Sequence, residues 1–89
     1  MPLIALRAVI ESVLIRKGDT KRHLVQAKLS SLYNLHIRDS YKHPEYLRTV
    51  LKNVYKEDYN SIINDVKLQL GEELVNEKDM FDFFKIMES

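Results

Sequence analysis

The sequence predicts an all-α fold, a small bundle of four core helices plus a C-terminal aromatic helix, as one domain over residues 1–89. Three observations carry that expectation. Apolar side chains recur at helical spacing in five successive segments, each closed by a short break. Only two Gly and two Pro occur, too few turn residues for a sandwich or barrel. There is no Cys, which excludes disulfide frames, thiolate nucleophiles and Cys-based metal centres, so helix packing or a partner must supply the stability.

The first helix covers residues 3–17, where Leu3, Leu6, Val9, Ile10, Val13 and Leu14 share one arc at about 100° per residue. Gly18 stops it, and Asp19 or Thr20 is the expected cap of the second helix, residues 20–34, with Leu24, Val25, Leu29, Leu32 and Leu35 as its apolar set. Residues 36–43 read as a connection pinned by Ile37 and Tyr41. Pro44 opens the third helix, residues 44–56, with His43 or Ser40 before it, because the fixed φ of proline suits a first helical position. Leu47, Val50, Leu51 and Val54 there give the cleanest i, i+3, i+4, i+7 pattern in the chain. The fourth helix carries Tyr59, Ile62, Ile63, Val66 and Leu70, and Gly71 ends it. Asn76 is the expected cap of a fifth, residues 77–87, with Glu77 and Asp79 in its first turn, where the helix dipole favours acids.

Three departures from one apolar face per helix mark where function would lie. On the first helix, Ile4, Ala8 and Ile15 form a second stripe opposite the main one, which implies a central helix touched on two sides or an oligomer contact. On the fifth, Met80, Phe81, Phe83, Phe84, Ile86 and Met87 cover more than half the circumference. They serve either as a lid clamped on the other helices, with Leu68 beneath the spare face, or as a docking strip of Phe81, Phe84 and Met87 for a partner. On the second, Lys21 and Lys28 fall on the arc of Leu24, Val25 and Leu32. They snorkel past the core edge or, with Arg22, form an electrostatic rim for a partner's acids. Arg48 and Lys52, beside Glu45, read as a solvated face.

No catalytic pattern accompanies these features. His36 and His43 flank one loop with only Asp39 between them, too few ligands for a metal site. Ser12, Ser30, Ser31, Ser40, Ser61 and Ser89 lack a nucleophile-elbow context, and Glu72-Glu73 reads as an ordinary acidic helix end or loop. The expectation is a non-enzymatic chain without metal or cofactor. Arg7 and Glu11 interrupt the N-terminal apolar run before a signal peptide or bilayer span can form, so a cytoplasmic protein with no membrane partner is expected.

Charge separates along the chain. Residues 1–56 hold 11 bases and 4 acids, +7, while residues 57–89 hold 3 and 9, −6, giving the net +1. Between residues 16 and 52 there are nine Lys or Arg against Asp19, Asp39 and Glu45, with Tyr33, Tyr41 and Tyr46 interleaved. That segment is the basis for an alternative function, nucleic-acid binding, with the second and third helices imitating a helix-turn-helix. The long connection between those helices and the acidic final third oppose it. The favoured reading is a protein-interaction module whose opposite charges dock on a partner or on another copy. Packing of the two charges against each other inside the bundle is the competing use of them.

The run over 46–71, YLRTVLKNVYKEDYNSIINDVKLQLG, resembles a small archaeal helical domain family of uncharacterised function, found alone or as an output domain appended to response-regulator receivers. The shared pattern is the Leu47 and Leu51 pair, a break at 55–58, Ile62-Ile63, and Leu70-Gly71. At the break the family often carries a Phe-Gly-like turn, where this chain has Val54-Tyr55-Lys56. The resemblance implies a non-catalytic signalling or interaction role and assigns no individual functional residue.

Overall fold

A computed structural model describes residues 2–89, with the side chains of Pro2, Leu3 and Glu73 outside that description; the expected core role of Leu3 and the reading of Glu73 therefore lie outside the described residues. The order is α1 (Pro2–Arg16), α2 (Asp19–Tyr33), a 3₁₀ segment (Ile37–Lys42), α3 (Pro44–Tyr55), a 3₁₀ turn (Lys56–Asp58), α4 (Tyr59–Leu70), α5 (Glu72–Val75) and α6 (Lys78–Met87). The fold is all-α, as the periodicity predicts, and the described residues contain no strand.

Helix ends follow local chemistry, with two corrections. Gly18, at φ 120°, is itself the N-cap of α2; Asp19 lies inside the first turn and pairs with Arg22 rather than capping. Glu77, not Asn76, caps α6, its extended backbone setting up the bond from the Phe81 N–H to the Glu77 carbonyl at 2.8 Å. Asn76 instead ends α5, a short turn of helix where an acidic helix end or loop is expected. Asn34 closes α2 at φ 55°, ψ 40°, with the Asn34 N–H on Ser30 and the Leu35 N–H on the Leu29 carbonyl, a Schellman arrangement. Pro44 opens α3 after His43, as expected.

The core is one cluster. α1 is the central element, touching α4, the long 3₁₀ segment, α2 and α6. Its Leu6, Ile10, Val13 and Leu14 share that cluster with Leu47, Val50 and Leu51 of α3, Tyr59, Ile62, Ile63, Val66 and Leu70 of α4, and the inner face of α6. The second stripe of α1 stays uncovered: Ile4 and Ile15 are 58% and 54% exposed. The helix is central on one side only. In α2 just Val25 and Leu29 are buried; Leu24 and Leu32, expected in the core, face solvent because the helix presents a single narrow stripe to its neighbours. Gln26 ties the following loop down, accepting from the Ile37 N–H at 2.9 Å and donating to the Leu35 carbonyl at 3.4 Å. Buried Ser40 donates to the Ile37 carbonyl at 2.6 Å, so it closes the 3₁₀ segment.

Candidate functional site

The aromatic helix divides into two faces. Met80, Phe83, Phe84 and Met87 recur at i, i+3, i+4 and i+7 and are all buried, with the Phe83 and Phe84 rings edge to face at 5.2 Å. Phe84 and Met87, at 3% and 1% exposure, therefore leave the expected docking strip; they belong to the lid. Phe81, at 59%, stays outside. The i, i+3, i+4, i+7 spacing was the available signal for this division, since Phe81 falls off that register.

The C-terminal end of α6 is held by two helices, α4 and α3. The Tyr59 hydroxyl donates to the Met87 carbonyl at 2.7 Å, and Lys67 pairs with Glu88. Arg48 and Lys52 donate to the Ser89 carbonyl at 3.0 and 3.3 Å. Ser89 lies two residues beyond α6, so these cations hold the chain just past the helix end. Arg48 and Lys52 thus clasp α6 instead of forming a solvated face. Burial pushes the Tyr59 hydroxyl up to about 12, partly opposed by the Arg48 charge.

Beside the lid, α4, α5 and α6 enclose two adjoining surface hollows of about 350 and 430 Å³, which share Lys67, Val75 and Asn76. Phe81 and Phe84 line one and Leu68 the other. Leu68, expected beneath the spare face of the aromatic helix, is instead 72% exposed. Gly71, at φ 85°, makes the turn that separates α4 from α5 and brings Val75 back beside Lys67. The result is a groove in which exposed Leu68 and Phe81, half-buried Val75 and buried Phe84 supply the apolar lining beside Lys67, Glu72, Asn76, Lys85 and Glu88.

The basic residues of the expected rim do not form a single ion-binding cluster. Lys21 sits over the Tyr55 ring at 5.5 Å, Arg22 pairs with Asp19 at 3.2 Å and lies 3.3 Å from the His23 ring nitrogen Nε2, and Lys28 is half-buried. The Tyr55 hydroxyl is buried without a hydrogen bond, and burial pushes its pKa up while Arg22 pulls it down. At the other end of α2, Tyr33 stacks on Tyr46 at 4.2 Å, and His43 stacks on Tyr46 at 5.7 Å. His36 accepts from the Arg38 N–H through Nδ1 at 3.3 Å. Among the described residues, no three His, Asp or Glu side chains gather in a metal-binding arrangement. No helix there is long and apolar enough to cross a membrane. No family model, curated protein or solved structure matches the chain.

Proposed function

We propose that the chain is a non-catalytic protein-interaction module of the signalling-output kind, acting in the cytoplasm without a cofactor and docking its partner in the Leu68, Val75 and Phe81 groove. The groove is the observation that carries this reading. Two large apolar side chains stand open to water on either side of a half-buried third, the arrangement in which an amphipathic segment can place its own apolar anchors. The charged lining of the groove balances, Lys67 and Lys85 against Glu72 and Glu88, with Lys67 engaged by Glu88, so the partner's apolar anchors rather than its charge carry the docking. The resemblance of residues 46–71 to an output-domain family agrees with this role.

The test is an NMR titration of the labelled chain with a designed amphipathic Leu/Lys helix. Saturable shifts at Leu68, Val75 and Phe81, abolished by Leu68→Ser and Phe81→Ser in folded variants, support the groove. Shifts centred elsewhere, or none, overturn it.

The second reading, nucleic-acid binding through residues 16–52, is favoured by the Tyr33, Tyr46 and His43 stack, which offers a surface for bases. Four of that segment's cations are already engaged: Lys17 with Asp65 at 3.4 Å, Arg22 with Asp19 at 3.2 Å, and Arg48 and Lys52 with Ser89. Titration against mixed-sequence duplex at about 50 and 200 mM salt decides it, because phosphate-driven binding weakens steeply over that range. No binding at the lower salt removes the reading.

A further inference from the structure

We infer that the outer face of α1 is a self-association surface, on which a second copy of this chain docks with its own α1 antiparallel. This surface shares no residue with the groove and does not depend on it. The centre of the face is Ile4, Ala8 and Ile15, directly opposite the buried stripe of Leu6, Ile10, Val13 and Leu14. Ile4 and Ile15 are more than half exposed on a helix whose other side contacts four elements. A solvated helix back is normally polar, and this one places its two largest apolar side chains at the ends of the stripe and its smallest, Ala8, between them.

The spacing is self-complementary under a two-fold axis. Laying two copies antiparallel about the midpoint of the stripe sets Ile4 of each against Ile15 of the other, and small Ala8 lets the helices approach closely at the centre. Charge fits the same register. Arg7 and Glu11 lie four residues apart on one flank of the stripe, and neither forms an ion pair among the described residues. The antiparallel arrangement brings Arg7 of each copy beside Glu11 of the other, so the symmetry makes two such pairs. A parallel two-fold pair instead sets this flank against the opposite one, that of Ala5, Ser12 and Arg16, where Arg7 meets no carboxylate. The charges therefore select both the occupant and its direction. A single helix stripe covers well under the roughly 800 Å² per partner of a stable interface, so the dimer is weak and forms at high protein concentration.

Sedimentation equilibrium over a concentration series tests the association. The mass of the wild-type chain should rise from 10.5 kDa toward twice that value. Ile15→Glu should hold it at the monomer, and Arg7→Glu or Glu11→Arg alone should weaken the dimer at least several-fold. The double variant Arg7→Glu/Glu11→Arg should restore it, a recovery that damage to folding cannot produce. Because the chain has no Cys, direction can be read by disulfide trapping. A mixture of Ile4→Cys and Ile15→Cys chains should give the mixed disulfide in excess over either homodimer. A monomer at every concentration, a dimer indifferent to Ile15→Glu, failure of the charge swap to restore association, or homodisulfides forming as readily as the mixed one would each overturn the inference.

Discussion

Lys56 sits at the junction of α3 and α4 with φ 51° and ψ −111°, outside the regions that L residues occupy comfortably. Holding a side chain in such a conformation costs on the order of 1–3 kcal/mol. Lys56→Gly removes that cost. It also frees the unfolded chain, which takes back about 0.5–1 kcal/mol. The lysine side chain is exposed and makes no hydrogen bond or ion pair among the described residues, so its loss removes no contact. The net effect is a stabilisation of roughly 0.5–2 kcal/mol. For a domain of this size, each 1 kcal/mol raises the Tm by about 4–8 °C. Urea unfolding with an unchanged slope and a higher midpoint is the expected result. Lys56→Ala should gain nothing, because Ala keeps the Cβ that creates the strain. Asn34 provides the contrast: it also has positive φ, but in the left-handed helical region that Asn tolerates, so Asn34→Gly should change stability by only a few tenths of a kcal/mol. A glycine at 56 that leaves the midpoint unchanged or lowers it would refute the argument.

Two further predictions separate residues of the same type by their surroundings. Tyr59→Phe removes the hydroxyl that holds the Met87 carbonyl and should cost about 1–2 kcal/mol, whereas Tyr55→Phe removes a buried hydroxyl with no partner and should be neutral or stabilising by about 1 kcal/mol. The Tyr59 pKa is raised from 10.0 to about 12 in the folded chain, so its contribution is full below pH 10 and is lost as pH climbs toward 12. Alkaline unfolding curves should accordingly be shallower for Tyr59→Phe than for the wild type. Phe84→Ala empties a buried site and should cost about 3–5 kcal/mol. Phe81→Ala, on the exposed face, should stay within about 0.5 kcal/mol by thermal unfolding.

Physical range determines which features could be read from the chain. The stripes of α3 and α4 are legible because Leu47, Val50, Leu51 and Val54, and then Tyr59, Ile62, Ile63 and Val66, repeat within a few residues, and because Pro44 and Gly71 punctuate them through their own backbone geometry. The same reasoning fails for Leu24 and Leu32, whose burial depends on how far neighbouring helices extend over α2. It fails also for the clasp on α6. Arg48 and Lys52 meet Ser89 across 41 and 37 residues, and no local pattern records that meeting. Lys56 is an intermediate case: the break at 55–58 is legible in the interrupted periodicity, but the positive φ that the lysine adopts there is not.

The separated charges take on a definite meaning in the folded chain. Of the described ion pairs, Arg22 with Asp19 lies within the basic half and Lys67 with Glu88 within the acidic half; Lys17 with Asp65 alone joins the two. That pair is only a third exposed on each side, but one surface bridge is worth about 1 kcal/mol or less. Mutual neutralisation inside the bundle is therefore a minor use of the opposite charges, and most of each sign faces solvent. The two proposed surfaces draw on different parts of this distribution. The α1 face uses one acid and one base in a local, symmetric exchange, while the groove, lined by Lys67 and Lys85 against Glu72 and Glu88, selects by its apolar anchors. No residue lining either hollow belongs to α1, so pairing through α1 leaves both grooves of a dimer lined as in the monomer. A weak dimer then gains in affinity for any partner that carries two amphipathic segments or is itself paired, because binding the first raises the effective concentration of the second.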